Sequence, residues 1–191
     1  LVQIARAGTA SLREFFQSQL DSIKEHRLTL RNRLRSDSVI SEESKSKYYS
    51  SWIYGAIRVA LTIPGLRTRK ALAKTFALPE EVLQEALQFL EESGLIEKQN
   101  ELYQATALNL HLGNDSSLIA RHHTNWRLKA LEAVSRAKPS DLHFSGVVSL
   151  STKDVTKIRS VLVDAIERSK EIVKDSPEET LYVICADFFG F

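Results

Sequence analysis

From Leu12 onward apolar residues return at helical spacing, at Phe16, Leu20, Ile23, Leu30 and Leu34. Ser11-Leu-Arg-Glu14 ahead of them has the form of a capping box, with hydroxyl and carboxylate each satisfying an orphan amide of the first turn. The pattern predicts an amphipathic helix to about Arg35, with Lys24, Arg27, Arg31, Arg33 and Arg35 outside. The polar run SDSVISEES follows, and Ser41 is placed to cap a second helix over about Glu42–Thr62. That helix gathers Tyr49, Trp52, Ile53, Ala56, Ile57 and Ala60 on one side and stops at Pro64-Gly65.

The next segment is denser in signals. Thr68 caps a short helix holding Ala71, Leu72 and Phe76, and Leu78 closes a tight turn. Pro79 stands at the first position of a third helix, where its missing N–H costs nothing. Val82, Leu83, Ala86, Leu87, Phe89 and Leu90 give that helix a broad apolar stripe, and Gly94 ends it. Short alternating runs on either side of Gln99-Asn100-Glu101 predict a hairpin. Long helix, short helix, turn, helix and hairpin are, in that order, the elements of a winged helix-turn-helix.

The remaining chain changes character. A further helix is expected over about Ser117–Ala137, broken by Lys138-Pro139-Ser140. Phe144–Leu150 reads as a strand, Ser151-Thr-Lys-Asp154 as a capping box, and Val155, Ile158, Val161, Leu162, Ala165, Ile166, Ile172 and Val173 as one face of a helix. Leu181–Phe189 is a second, strongly apolar strand candidate. Two strands seldom make a stable sheet alone, so pairing with other sequence or with a second copy is expected. The fold class is therefore α+β, mainly α. It divides into a helical arm (1–40), a winged helix-turn-helix (41–112), a connecting helix (113–140) and a strand-helix-strand module (141–191) expected to dimerise.

Charge alters this picture. The net +2 of the 191-residue chain hides an asymmetry. Residues 1–70 hold 13 Lys+Arg against 6 Asp+Glu, giving +7, whereas residues 71–120 hold 2 against 8, giving −6. The second helix of the helix-turn-helix is the one that meets base edges in such motifs. Here its start offers Pro79, Glu80, Glu81, Gln84, Glu85 and Gln88, and carboxylates repel phosphate. Gln84 and Gln88 are the candidate base contacts; Arg67, Arg69, Lys70 and the arm's Arg31, Arg33 and Arg35 are the candidate phosphate contacts.

No catalytic or cofactor motif emerges. His122 and His123 are adjacent and point about 100° apart on a helix, and His26, His111 and His143 have no ligand spacing to one another. The single cysteine, Cys185, fits a buried strand position, and neither a phosphate-binding loop nor a dinucleotide fingerprint is present. Catalytic residues, metal ligands and cofactors are accordingly expected to be none, and the chain is not expected to be an enzyme. One cysteine and no membrane-spanning apolar run point to a cytoplasmic protein. The start at Leu1 and the lack of any methionine lead us to expect that residues have been lost at the amino end. Tyr49, Trp52 and Trp126 are candidates for lining a small-ligand pocket.

Residues 48–59, YYSSWIYGAIRV, resemble the "FYSSWYHSAIRELV" segment of a bacterial domain-of-unknown-function family frequent in predatory and fibre-degrading bacteria. Ala71–Ile96 resembles its "A-x-x-L … EALxLLxxLGLI" block, and Leu142–Ser151 its "DFSGVTLAVS". Residues 1–7 are similar to its "LVxxxxA" stretch, and Leu181–Phe189 to its last strand, although Phe189-Gly190-Phe191 replaces the usual "FPL". The resemblance implies a transcriptional regulator whose amino-terminal helix-turn-helix-like domain precedes this sequence. Expected partners are a second copy of the chain and DNA, the latter held mainly by the full-length protein. The alternatives are a winged helix that binds a protein and never DNA, and a small-ligand sensor.

Overall fold

In the computed structural model, the described residues are 40–108, 110, 116–136 and 138–191. The predicted arm helix, with Arg31, Arg33 and Arg35, lies outside them. Within them the protein is mainly helical with one small antiparallel sheet.

The expected second helix is two. Helix α1 spans Glu42–Tyr48 and α2 spans Trp52–Ala60, with Tyr49, Ser50 and Ser51 between. The apolar period runs unbroken through this point, yet Ser51 adopts an extended backbone and accepts a hydrogen bond from the Ile53 amide at 3.3 Å. A local cap here outcompetes helix continuation, as serine side chains commonly do.

A single 3-10 turn at Pro64–Leu66 leads to α3, Arg69–Phe76, capped by Thr68, whose hydroxyl accepts from the Ala71 amide at 3.2 Å. Ala77, at φ 50°, makes the turn into α4, Glu80–Glu92. Pro79 is the cap residue rather than the first helical one. Gly94 leaves α4 at φ +69°, a conformation in which a Cβ would be strained. Strands β1 (Ile96–Gln99) and β2 (Leu102–Ala105) pair antiparallel, Ile96 opposite Ala105 and Gln99 opposite Leu102, around Asn100 at φ 56°.

The core sits inside these elements. Ile57, Leu61, Leu72, Leu83, Leu90, Leu95 and Ile96 are fully buried, one or more from each of α2, α3, α4 and β1. Of the predicted α4 stripe only Val82 is not buried.

Helix α5, Ile119–Arg136, lies against α2: the Asn125 amide donates to the Tyr49 carbonyl at 3.0 Å, and the Trp126 ring lies over Gly55. Helix α6, Thr152–Asp175, has the expected box, Ser151 accepting from the Asp154 amide and donating to its carboxylate at 2.7 Å.

The strands expected at Phe144–Leu150 and Leu181–Phe189 do not form a sheet with each other or with any described residue. A strand needs a neighbour to satisfy its amides and carbonyls, and a crossover helix does not by itself supply one. No residue from Asp141 to Phe191 is buried.

Candidate nucleic-acid interface

The α3–turn–α4 unit presents its polar face where both helices begin. Thr68 and Pro79 start the two helices, and the left-handed turn at Ala77 brings those starts within side-chain reach. Arg69 uses that proximity. Its guanidinium pairs with the Glu80 carboxylate at 2.6 Å and donates to Gln84 Oε1 at 3.1 Å, while its Nε is buried without a hydrogen-bond partner. One candidate phosphate contact is therefore engaged with one candidate base contact and with the acid beside it. The sequence hint was a cation and an acid at the first positions of consecutive helices, which becomes a contact only once the turn geometry is known.

Arg67 is also occupied. Its Nε donates to the Leu61 carbonyl at 3.1 Å and its Nη2 to the Thr62 carbonyl at 3.4 Å, satisfying the end of α2. Its own carbonyl accepts from the Tyr103 amide at 2.8 Å, tying the approach to α3 against β2. Lys70 is exposed, as is Lys74 one turn later. Gln88 is exposed and donates to Glu92 at 2.8 Å along its own helix.

Glu80 and Glu81 stand in the first turn of α4, where carboxylates complement the helix dipole. With Glu85 they leave this face acidic apart from the cations of α3. Arg58, which sequence reasoning did not single out, donates from α2 to the carbonyls of Thr106 and Leu108 and so holds the chain leaving the hairpin.

Of the pocket candidates, Tyr49 and Trp126 each pack against His122, whereas Trp52 packs against Phe76 and Lys129. Tyr49 is buried edge-on against His122, 5.4 Å between ring centres, and burial pushes its phenol up to about 12. Trp52 packs near Phe76 and carries the Lys129 ammonium 4.2 Å over its ring. Burial, with the neighbouring His123 charge, lowers the His122 imidazole below its ordinary range. Trp126 additionally lines a groove of about 640 Å³ between α5, α6 and residues 184–186; neither Tyr49 nor Trp52 reaches it. Arg127 beside this groove binds the Asp187 carboxylate with Nε and Nη2 and anchors the last segment to α5. That pairing raises the guanidinium pKa further.

Cys185 is exposed on that last segment rather than buried in a strand. Among the described residues no three His, Cys, Asp or Glu side chains converge to hold a metal, and no helix is long and apolar enough to cross a membrane.

These features define a mainly helical protein with a small antiparallel hairpin, whose paired helix starts carry acids clamped by an arginine. Residues 31–190 match the family described as Domain of unknown function (DUF4423), and the chain belongs to that family. No curated protein and no solved structure matches it.

Proposed function

We propose that this chain is the carboxyl-terminal regulatory and dimerisation region of a cytoplasmic transcriptional regulator. Residues 52–105 form a winged helix-turn-helix that does not grip DNA unaided, and the main duplex contact comes from sequence preceding Leu1. The observation that carries this reading is the Arg69–Glu80–Gln84 clamp, which withdraws a cation and a base-reading amide from the surface where a duplex would lie. Arg67, spent on the carbonyls ending α2, supports it. The dimerisation part rests on residues 141–191, which bury nothing in one copy while carrying Leu142, Phe144 and Val147 more than nine-tenths exposed.

The test is selection from a random-sequence DNA pool by residues 1–191 and, side by side, by the protein extended at its amino end. The extended protein is expected to enrich a motif and residues 1–191 alone to enrich none; enrichment by residues 1–191 overturns the proposal. The same clamp favours a second reading, a winged helix that binds a protein partner and never DNA. Failure of the extended protein to show salt-sensitive duplex binding selects that reading, because phosphate contacts necessarily release counterions.

A further inference from the structure

Residues 142–150 and 181–189 are equal in length, nine residues each, and rich in β-branched and aromatic side chains: Phe144, Val147 and Val148 in one, Val183, Ile184, Phe188 and Phe189 in the other. No backbone amide or carbonyl of either segment is hydrogen-bonded to any described residue. Leu142, Phe144 and Val147 stand 92%, 91% and 92% exposed. The same chain carries the groove described above, whose apolar lining includes Trp126, Ile166, Val173 and Ile184, with Lys170 and Lys174 beside them and no carboxylate in the lining. Segment 142–150 of the same copy does not fill that groove, since its side chains remain in solvent.

We propose that two copies exchange residues 142–150. Each copy lays that segment as a β-strand beside residues 181–189 of the other and seats the face carrying Leu142, Phe144 and Val148 in the groove between α5 and α6. The proposal rests on the self-association reading above and specifies how it is built. A second copy is the occupant because it supplies both missing halves at once: the projecting segment of each meets the groove of the other. Asp141, at the head of the segment, meets the cationic side of that groove, so the charges are complementary. Two such contacts related by a two-fold axis close on themselves and leave no surface to propagate. The exchange turns the two unpaired strands of each copy into two intermolecular strand pairs, each packed against the helices of a groove rather than left as an isolated ribbon.

The test is hydrogen–deuterium exchange on the intact chain over a dilution series, with mass measured by light scattering at each concentration. The expected result is a dimer in which alternate amides of 143–149 and 182–188 exchange roughly 10-fold or more slowly, protection that disappears as dilution yields monomer. A dimer whose amides in both segments exchange at free-chain rates overturns the strand exchange but leaves self-association standing. A monomer at the highest attainable concentration removes both. Protection that persists in the monomer shows pairing within one chain and also overturns the exchange.

Val147→Pro and Val148→Pro, made separately, provide an independent check. Alternate amides of a strand point to opposite edges, so one of the two substitutions removes an amide facing the partner and weakens the dimer roughly tenfold or more. The buried core lies within residues 48–103, so both variants still fold. Unchanged dimer dissociation in both overturns the exchange.

Discussion

Replacing Glu80, Glu81 and Glu85 by glutamine together converts the acidic face of α4 into a neutral one while keeping its size. The −6 of residues 71–120 becomes −3, and Arg69 loses its ionic partner. The pair is 40% and 64% exposed on its two sides, which places it among surface ion pairs worth about 0.2–1 kcal/mol. Glu80 and Glu81 each add about 0.3–1 kcal/mol through the helix dipole. The total cost is about 1–3 kcal/mol, small enough for the fold to survive.

The gain is cationic surface. Arg69 joins the exposed Lys70 and Lys74, giving three groups able to meet phosphate. Each contact contributes about 0.9 to the salt slope, so the variant should bind random duplex with a slope near −2.7. Raising salt from about 50 to about 200 mM should then weaken it about 40-fold. Fluorescence anisotropy of a labelled duplex measures this directly, with unmodified protein expected to show no comparable dependence. A variant that stays blind to DNA, or an unmodified chain with the same slope, refutes the claim that these carboxylates and their clamp set the duplex affinity.

Two further outcomes follow from the interior. Leu72→Ala, at a fully buried position of α3, should lower unfolding free energy by about 2–5 kcal/mol in denaturant titration; a loss under about 1 kcal/mol would mean the α2–α3–α4 core collapses around the cavity. Tyr49 is held neutral by burial, its pKa raised to about 12, so the folded state keeps a proton the unfolded chain gives up near 10. Stability from this group is complete below about pH 10 and is lost as pH rises through about 12. Denaturant midpoints across that window should fall less steeply in Tyr49→Phe, with a residual fall because Tyr48 and Tyr54 are shifted the same way. An unaltered slope would contradict the assignment.

What the sequence makes legible is what depends on near neighbours. Thr68, Ser151 and Gly94 act through groups two to four residues away, and each does in the structure what its residue type requires. The α4 stripe is legible for the same reason, because a helix carries its own periodicity. The break at Ser50–Ser51 is not, since the apolar period continues across it and only the competition between Ser51 and the helix decides. The clamp is illegible for a different reason. Arg69 and Glu80 are 11 positions apart, and only the left-handed backbone at Ala77 converts that separation into 2.6 Å. Segments 144–150 and 181–189 have strand composition, but a strand is a relation between two backbones, and composition cannot name the second.

The two halves of the described chain therefore differ in what they still require. In residues 48–108 the requirements are met locally: apolar side chains are buried, Arg58 and Arg67 serve orphan carbonyls, and Arg69 serves Glu80. Assigning DNA work to α4 asks that half to break a bond it has already made. Segment 142–150 has no such bond to break. Burying Leu142 and Phe144, which share one face of the strand, contributes about 1.5–3 kcal/mol each, or about 6–12 kcal/mol for two copies, against an association cost of about 4–15 kcal/mol. Those magnitudes are comparable before any strand pairing is added, so the proposed exchange turns on the hydrogen bonds between the two segments. Among the described residues the free energy still available thus lies in residues 141–191, and recognition chemistry is expected there.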